Sequence, residues 1–354
     1  MPNRKMMQVN QRPLLTAALY AHNEAPYIRE AVHSTLAQTY RPLQIILSDD
    51  CSTDETYSIM QAVARHYGGP HEIVLNRTSC SKGVAAHVNS LMALAKGVLV
   101  LAFHGDDIAL PDRCELTWRA WERAGRRASS IAMGFKSFSE DSSVRLRDVP
   151  VVSTNLEEVI WNATTGVIGA SYAWHRRLFE VFGPLPEFAP VEDVILPFRS
   201  LLLDGIVVDR TPVVNYRCHS GNYLSPHRGE FAGLRGARVR MERKLKAGLA
   251  NLQAFAATVE QAFSMGLISS EKRRVYLDKI AEAARARQVD LDLTSPQFRK
   301  RVRAALQLWT VRTISRYSVT RKVFWMLNAF LPALSNIEYK VRDRNLNPRL
   351  VLQR

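Results

Sequence analysis

Short apolar runs alternate with amphipathic segments over the first 103 residues. Four runs have the length of strands and lie at 13–21, 43–50, 71–76 and 98–103. Three segments between them place apolar residues at helical spacing and lie at 21–38, 52–69 and 83–97. The buried-looking runs IILS and VLVLAF lack polar alternation, as strands do when helices cover both faces of a sheet. The order predicts an α/β fold with a doubly wound, mostly parallel sheet and helices on both faces.

The predicted second helix carries sequence signals for both of its ends. Ser52 and Glu55 have the spacing of a capping box, in which each side chain binds a free backbone N–H of the first turn. Gly68 and Gly69 follow and predict the end of the helix.

The pattern changes after Pro111 and again near residue 233. A helix containing Trp118 and Trp121 is predicted first, and the remaining predictions are a strand at 129–140, a loop at 140–160, a strand leading into a helix at 164–183, a helix at 191–205, a strand at 206–217 and a loop at 218–233. From about residue 234 the chain becomes amphipathic at helical spacing. The predicted domains are an N-terminal tail (1–12), a catalytic domain (13–232, with halves 13–112 and 113–232) and a basic helical region (233–354).

Polar residues follow three of the predicted strands. Asn23-Glu24 comes after the first strand, Asp49-Asp50 ends the second, and Asp106-Asp107 comes after the fourth. In an open parallel sheet the ligand crevice lies at the carboxyl ends of the strands. Carboxylates there can bind a base or ribose, or hold Mg²⁺ or Mn²⁺ against phosphates, while the alternative is solvated loop acids that cap the next helices. The chain has neither a P-loop nor G-x-G-x-x-G, so any nucleotide would be held by acids and metal.

Several ordered motifs resemble those of the family 2 glycosyltransferases. They are LLTAALYAHNEAPYIREAVHSTLAQTYRPLQIILSDDCSTDET, SKGVAAHVNSLMALAKGVLVLAFHGDDIALPD, and GASYAWHRRLFEVFGPLPE followed by VEDVILPFRSLLLDG. The resemblance covers about residues 13–225 and leaves the last 120 or so uncovered. It implies a GT-A fold, a nucleotide-sugar donor and a divalent metal cofactor, Mg²⁺ or Mn²⁺.

The resemblance also implies roles for individual residues. Asp50 would contact the nucleotide base, Asp106 the ribose, and Asn23 with Glu24 would lie at the nucleotide site. Asp107 would coordinate the metal on the diphosphate, where a cation stabilises the charge of the leaving group.

Asp193 would be the general base that takes the proton of an acceptor hydroxyl. One base and no enzyme nucleophile suit a single displacement with inversion. The alternative for Glu192-Asp193 is a pair of acids that stabilises a helix N-terminus. Many members of the family have Asp at the position of His104. Two interpretations of this histidine remain open. It either supports the site or contacts the nucleotide, or it is simply the last residue of a strand.

Five further residues are candidates, and three of them have two interpretations. Lys82 would contact phosphates, or it is simply solvated. His219 would contact the diphosphate or the metal, or it belongs to a mobile surface loop. Glu192 and Arg199 lie in the acceptor-side motif, and Trp118 braces the acceptor groove or packs in the core.

Charge is distributed unevenly along the 354 residues. The net charge is +15, and residues 233–354 alone carry 25 Lys/Arg and 9 Asp/Glu. The N-terminus lacks the pattern of a signal peptide, no apolar run is long enough to span a bilayer, and four separated cysteines indicate reduced thiols. A cytoplasmic location is expected, either free or on the inner face of the membrane.

Residues 299–344 interleave Arg and Lys with Leu, Trp, Ile, Val and Phe. Such a segment can lie at the surface of an anionic membrane, or it can pack as a helical subdomain or form an oligomer interface. A membrane location would suit a lipid-linked or polysaccharide acceptor.

The leading functional hypothesis is a metal-dependent inverting glycosyltransferase. It would move a sugar from a nucleotide-sugar, expected to be a UDP-sugar, to a hydroxyl of a cell-surface glycan or glycolipid. The alternative is a catalytically silent nucleotide-sugar-binding scaffold of a glycan assembly complex. Nucleic-acid binding is disfavoured because the basic residues are diluted among apolar ones and no nucleic-acid motif is present.

Overall fold

The computed structural model describes residues 12–139, 152–219, 233–295 and 297–310, and these divide into two compact units. The first unit runs to Leu156 and resumes over Thr165–Arg217, and the second contains Glu157–Thr164 and the chain from Cys218 onward. The division therefore falls after residue 217, earlier than the predicted boundary after residue 232. It also assigns a short segment of the predicted 140–160 loop to the second unit.

The first unit contains one eight-stranded sheet. Its strands are β1 (Leu15–Ala21), β2 (Leu43–Asp49), β3 (Glu72–Arg77), β4 (Leu99–His104), β5 (Ile108–Ala109), β6 (Ser130–Phe138), β7 (Tyr172–His175) and β8 (Ile206–Arg217). The helices of this unit are α1 (Ile28–Leu36), α2 (Thr56–Arg65), α3 (Val84–Leu94), α4 (Arg113–Arg123), α6 (Arg177–Phe182) and α7 (Glu192–Leu203). A 3₁₀ turn at Gly169–Ser171 precedes β7.

The strand order is β3-β2-β1-β4-β7-β6-β8-β5. Strands β3, β2, β1 and β4 run parallel, and β6 also pairs in parallel with β8. Strand β7 is antiparallel to both of its neighbours, and the short β5 is antiparallel to β8. The predicted doubly wound, mostly parallel sheet is confirmed, and the antiparallel β7 is the part that the apolar pattern did not reveal.

The central strands are buried along both faces, which explains their uninterrupted apolar sequence. All residues of β1 and β2 are buried, whereas the edge strand β3 is half exposed. Gly97 precedes β4 where the chain passes close to β1, and a Cβ there would lie 2.4 Å from the backbone nitrogen of Thr16. A glycine is therefore required for this approach.

The predicted capping box at the start of α2 is wrong. Helix α2 begins at Thr56, and the Glu55 side chain makes no capping hydrogen bond. The Ser52 hydroxyl instead accepts a hydrogen bond from the backbone N–H of Asn23, in the loop after β1. A contact between two loops has replaced the local cap, and Asp54 binds the free N–H of Thr56.

The second unit is helical over its described residues, as predicted. It contains α5 (Leu156–Asn162, of which residues 157–162 belong to this unit), α8 (Gly233–Ser264), α9 (Ser270–Leu293) and α10 (Phe298–Thr310). Asn251 of α8 donates a hydrogen bond to the backbone oxygen of Ala163, and Lys279 of α9 pairs with Glu157 at 2.8 Å. The prediction of loop over 156–160 is therefore wrong, because α5 packs on this bundle.

No helix within the described residues is both long enough and apolar enough to cross a bilayer. The predicted membrane-contact segment 299–344 is described only as far as Thr310, so most of it lies outside the described residues. The four cysteines (Cys51, Cys80, Cys114 and Cys218) are free, as expected.

Candidate active site

The loops after β1 and β2 are tied together by the side chain and backbone of Asn23. Its Oδ1 accepts a hydrogen bond from the backbone N–H of Thr53 at 2.9 Å, while its own N–H donates to Ser52. Asn23 has a φ of 55°, in the left-handed region where Asn is tolerated better than most residues. The next residue, Glu24, donates its backbone N–H to the hydroxyl of Thr56 at 2.7 Å. These bonds fix Asn23 and Glu24 at the carboxyl end of the sheet.

Asp50 is held at the same end by two hydroxyl groups that follow β3. Thr78 donates to its Oδ1 at 2.9 Å and Ser81 donates to its Oδ2 at 2.8 Å. The carboxylate is 5% exposed. Sequence reasoning missed Thr78 and Ser81, because nothing in their local sequence indicates that they face Asp50.

The side chain of Asp49 stabilises the turn after β2 and is not part of the candidate site. Its Oδ2 accepts from the backbone N–H of Ser52 and forms an ion pair with Arg77 at 3.2 Å. The Arg77 guanidinium therefore serves this turn as the partner of Asp49.

The loop after β4 brings three potential metal ligands together. Ligand atoms of His104, Asp106 and Asp107 all lie within 4.8 Å of one another. Oδ1 of Asp107 accepts from the backbone N–H of Arg217 at 2.8 Å. Arg217 ends β8, is stacked over the ring of Tyr27, and donates its Nε to the backbone oxygen of Asp106. The end of β8 therefore braces the acidic loop, a role for Arg217 that the sequence did not indicate.

These residues fit a divalent cation. Asp107 is 4% exposed, and its Oδ2 is buried without a hydrogen-bond partner among the described residues. A buried carboxylate oxygen without a partner is costly, and a cation would satisfy it. Burial and the nearby charge of Asp106 raise the pKa of Asp107 to about 7. Burial and the charge of Asp106 likewise raise the pKa of Glu24 to about 8, because the neighbouring acids disfavour each other's charged form.

Helix α7 presents a second pair of acids beside this loop. Glu192 is 2% exposed, and its Oε1 accepts a hydrogen bond of 2.5 Å from the hydroxyl of Tyr20 on β1. Nε2 of His104 lies 3.1 Å from that hydroxyl and 3.7 Å from Oε1 of Glu192. Burial would raise the pKa of Glu192, but the hydrogen bond and charge of His104 outweigh it and lower the pKa.

Asp193 lies next to this network and is held by the turn before β7. Its Oδ2 accepts from the backbone N–H of Gly169 at 3.0 Å. Burial and the charge of Glu192 raise the pKa of Asp193 to about 7. A carboxylate with a pKa near neutrality is suited to accept a proton.

His104 joins the two groups of acids. Its Nδ1 lies 3.8 Å from Oδ2 of Asp107, and its Nε2 faces Glu192. Burial lowers the pKa of His104, but the hydrogen bond and charge of Glu192 and the charge of Asp107 raise it to about 9. Asp107 and Glu192 therefore lie beside different nitrogens of one imidazole, and Asp193 follows Glu192 in the chain.

The remaining sequence-predicted residues lie elsewhere. Trp118 is 3% exposed and packs against Trp121 with ring centroids 5.6 Å apart, so it takes the core position that was one of its two interpretations. Arg199 is 1% exposed and donates to the backbone oxygens of Gly183 and Pro184, so it holds the turn after α6. A contact between Arg199 and an acceptor stays a prediction. Lys82 is exposed at the start of α3.

His219 belongs to the second unit, and its proposed contact with the diphosphate or metal stays a prediction. Residues 220–232 of the same predicted loop lie outside the described residues, as do residues 140–151 of the other predicted acceptor loop.

Comparison with protein families gives one match to this part of the chain. Residues 16–181 match the model of glycosyl transferase family 2. The matched range begins at the second residue of β1, extends past β7 and ends before α7. It includes the residues from Asn23 to Asp107.

Three of the relatives each match about 30% of the chain. EpsE of Bacillus subtilis (strain 168), whose name marks it as a candidate glycosyltransferase, is 32% identical over 107 residues, which are 30% of this chain and 38% of EpsE. Chondroitin synthase of Escherichia coli is 34% identical over 104 residues, 29% of this chain and 15% of the enzyme. WfaP of Escherichia coli, a UDP-Glc:alpha-D-GlcNAc-diphosphoundecaprenol beta-1,3-glucosyltransferase, is 31% identical over 94 residues, 27% of this chain and 36% of WfaP. The chain thus spans well under half of each relative.

Among solved structures, S. aureus TarS 1-349 in complex with UDP-GlcNAc has a similar fold. The TM-score is 0.51 and the sequence identity 14%, over 89% of this chain and 90% of that one. At this identity the comparison supports the GT-A fold and nothing finer.

Proposed function

We propose, from the match of residues 16–181 to glycosyl transferase family 2, that this chain is a metal-dependent, inverting glycosyltransferase of cell-surface polysaccharide synthesis. The observation that carries the proposal is that the imidazole of His104 lies 3.8 Å from Asp107 and 3.7 Å from Glu192, the residue before Asp193. A metal-binding acid and a candidate base within one site are what a single displacement requires.

The donor would be a nucleotide-sugar bound at the carboxyl ends of β1, β2 and β4. Asp50 would contact the base, Asp106 the ribose, and Asn23 and Glu24 would line the nucleotide site, with Lys82 near the phosphates. UDP is the proposed nucleotide, which is supported by the UDP-sugars in the names of WfaP and of the TarS complex.

Asp107 would hold Mg²⁺ or Mn²⁺, with His219 a further candidate. When bound, such a cation neutralises the charge that develops on the departing diphosphate. Oδ1 of Asp107 is already occupied by the N–H of Arg217, so its buried Oδ2 is the oxygen that would face the cation.

Asp193 would accept the proton of the acceptor hydroxyl. Its Oδ2 is fixed by the N–H of Gly169, which leaves Oδ1 for the acceptor. The sugar would invert, because no enzyme nucleophile intervenes between base and donor. The acceptor is proposed to be a glycan or a lipid-linked sugar, in keeping with the diphosphoundecaprenol in the name of WfaP.

The test is a panel of nucleotide-sugars scored by release of nucleoside diphosphate, with and without Mn²⁺. Asp193→Asn should abolish turnover while donor binding, measured by thermal shift, persists. Asp112→Asn is the matched control, because Asp112 is exposed and makes no side-chain cap for α4. Donor binding without turnover by the unaltered chain, with candidate acceptors supplied, would instead favour the silent scaffold.

A further inference from the structure

The two ring nitrogens of His104 have different surroundings. Nε2 lies 3.1 Å from the hydroxyl of Tyr20, and that hydroxyl donates to Glu192. Since the Tyr20 proton is used by Glu192, Nε2 is the nitrogen that donates its hydrogen to the Tyr20 oxygen. The lone pair of a neutral ring then lies on Nδ1.

Nδ1 faces the orphaned oxygen of Asp107. The separation from Oδ2 is 3.8 Å, too long for a hydrogen bond, and Oδ2 has no other partner among the described residues. Without a proton or a cation between them, the electron pairs of Nδ1 and Oδ2 would repel each other, because the site is only 26% exposed at His104 and 3% at Asp107. A proton or a cation between them removes that repulsion.

The separation also suits a shared cation. Nitrogen and oxygen ligands lie about 2.1 Å from a small divalent ion, so two ligands of one ion are at most about 4.2 Å apart. The pair of Nδ1 and Oδ2 falls inside this limit, and an oxygen of Asp106 lies within 4.8 Å of both ligand groups.

The imidazole of His104 has the supporting contacts that metal-binding imidazoles typically have. A histidine that binds a metal typically donates its other N–H to a carboxylate or a comparable acceptor, which fixes the ring and its tautomer. Here Tyr20 and Glu192 provide that support, and the Tyr20 ring also packs edge-on against His104 with centroids 5.1 Å apart. Gly169 leaves the room for it, because a Cβ there would lie 2.9 Å from Cε1 of His104.

From this arrangement we infer that His104 is a direct nitrogen ligand of the divalent cation, through Nδ1 and beside Asp107. The inference rests on the proposed function for the presence of a cation, and it adds the identity of the ligand and the preferred class of metal. Imidazole nitrogen suits transition metals, whereas Mg²⁺ demands oxygen. The site is therefore expected to bind Mn²⁺ more tightly than Mg²⁺.

The experiment is pulsed electron paramagnetic resonance of Mn²⁺ bound to the full chain in the presence of UDP. The unaltered protein should show a ¹⁴N coupling from a bound imidazole. His104→Gln should lose the coupling of one imidazole, and this loss should also be seen when His104→Gln is compared with the unaltered protein in a His219→Gln background. Coupling that is absent from the unaltered protein, or that His104→Gln leaves unchanged in both backgrounds, would overturn the inference.

Binding of Mn²⁺ gives a second readout, independent of activity. His104→Gln should weaken it by about 10-fold or more, the scale of losses known at metal sites. His104→Asp should retain binding through a new oxygen, without ¹⁴N coupling, and should reduce the preference for Mn²⁺ over Mg²⁺. Unchanged Mn²⁺ affinity in His104→Gln would contradict the inference, and His104→Asp answers the same question if the Gln variant does not fold.

Failure of this inference differs from failure of the proposed function. Turnover of a nucleotide-sugar with Mn²⁺ bound and no coupling to His104 would leave the function standing. A His104-dependent coupling with no release of nucleoside diphosphate from any donor, with candidate acceptors supplied, would leave the metal site standing instead.

Discussion

The acid–base properties of the site depend on a few buried contacts. Asp193 is the clearest case, because burial and Glu192 raise its pKa to about 7 while Gly169 holds one of its oxygens. A general base acts only when deprotonated. The loss of the proton from Asp193 should therefore appear in the pH dependence of the reaction rate.

We expect kcat/KM to rise with pH through about 7 and then to level off, because Asp193 loses its proton there. Asp193→Asn should lower kcat by about 10²–10⁴-fold, the usual contribution of a general base. Initial rates of nucleoside-diphosphate release between pH 5.5 and 9 measure both effects. A rate that falls across this interval, or that Asp193→Asn leaves unchanged, would remove Asp193 from the mechanism.

The same raised pKa predicts a change in stability. A carboxyl that keeps its proton longer in the folded state than in the unfolded state loses stabilisation as pH rises from about 4 to about 7. Asp193→Asn removes this loss, so its Tm at pH 8 should exceed that of the unaltered protein, with a smaller difference at pH 4. Asp112→Asn should show no such pH-dependent difference.

Gly169 limits how closely the groups around His104 can pack. A Cβ at this position would lie 2.7 Å from Oε1 of Glu192. Gly169→Ala should therefore displace Glu192 and His104, reduce turnover, and lower the free energy of unfolding by about 1–3 kcal/mol, as overpacking does. Gly68→Ala is the control, since a Cβ at Gly68 meets nothing within 4 Å. Equal urea denaturation and equal turnover for both variants would contradict this packing constraint.

At the scale of elements, the site is formed where neighbouring strands end. The loops after β1 and β2 are joined through Asn23, and β8 reaches the loop after β4 through Arg217. These are contacts between segments that are far apart along the chain. They hold the acids at the carboxyl end of the sheet, and no local sequence motif specifies these contacts.

Substitutions at Asn23 should separate its backbone role from its side-chain role. Asn23→Ala should cost about 1–2 kcal/mol for the left-handed conformation and about 1 kcal/mol for the lost hydrogen bond with Thr53. Asn23→Gly avoids the cost of the left-handed conformation but still loses the hydrogen bond with Thr53. Its free energy of unfolding should therefore lie between those of the unaltered protein and of Asn23→Ala. Chemical denaturation of the three proteins tests this order, and a Gly variant no more stable than the Ala variant would contradict it.

At the scale of the whole molecule, charge separates the two parts of the chain. Residues 233–354 carry the excess of Lys and Arg, and the remainder is close to neutral. A basic region with interspersed apolar residues binds anionic bilayers through both charge and burial of apolar side chains.

We expect the full chain to sediment with vesicles that contain phosphatidylglycerol and not with neutral phosphatidylcholine vesicles. Binding should weaken between 50 and 500 mM salt, because screening shortens the reach of the charges to about 4–5 Å at the higher concentration. A chain that ends near residue 295, checked for its helical content, should bind less. Equal and negligible binding by both chains would favour packing of the helical region instead.

The sequence by itself determined the alternation of strands and helices, the burial of the central strands and the acids at the strand ends. These features follow from local periodicity, which reports which residues must be buried. It also indicated Asp107 and Asp193 through ordered motifs, although they are separated along the chain.

Only the tertiary structure decided what surrounds those acids. It replaced the capping box of Ser52 with a bond to Asn23, placed Trp118 and Arg199 in structural positions, and brought His104 between Asp107 and Glu192. The physical reason is that hydrogen bonds and ion pairs between distant segments depend on how elements pack, and periodicity along the chain carries no information about which side chains then face each other.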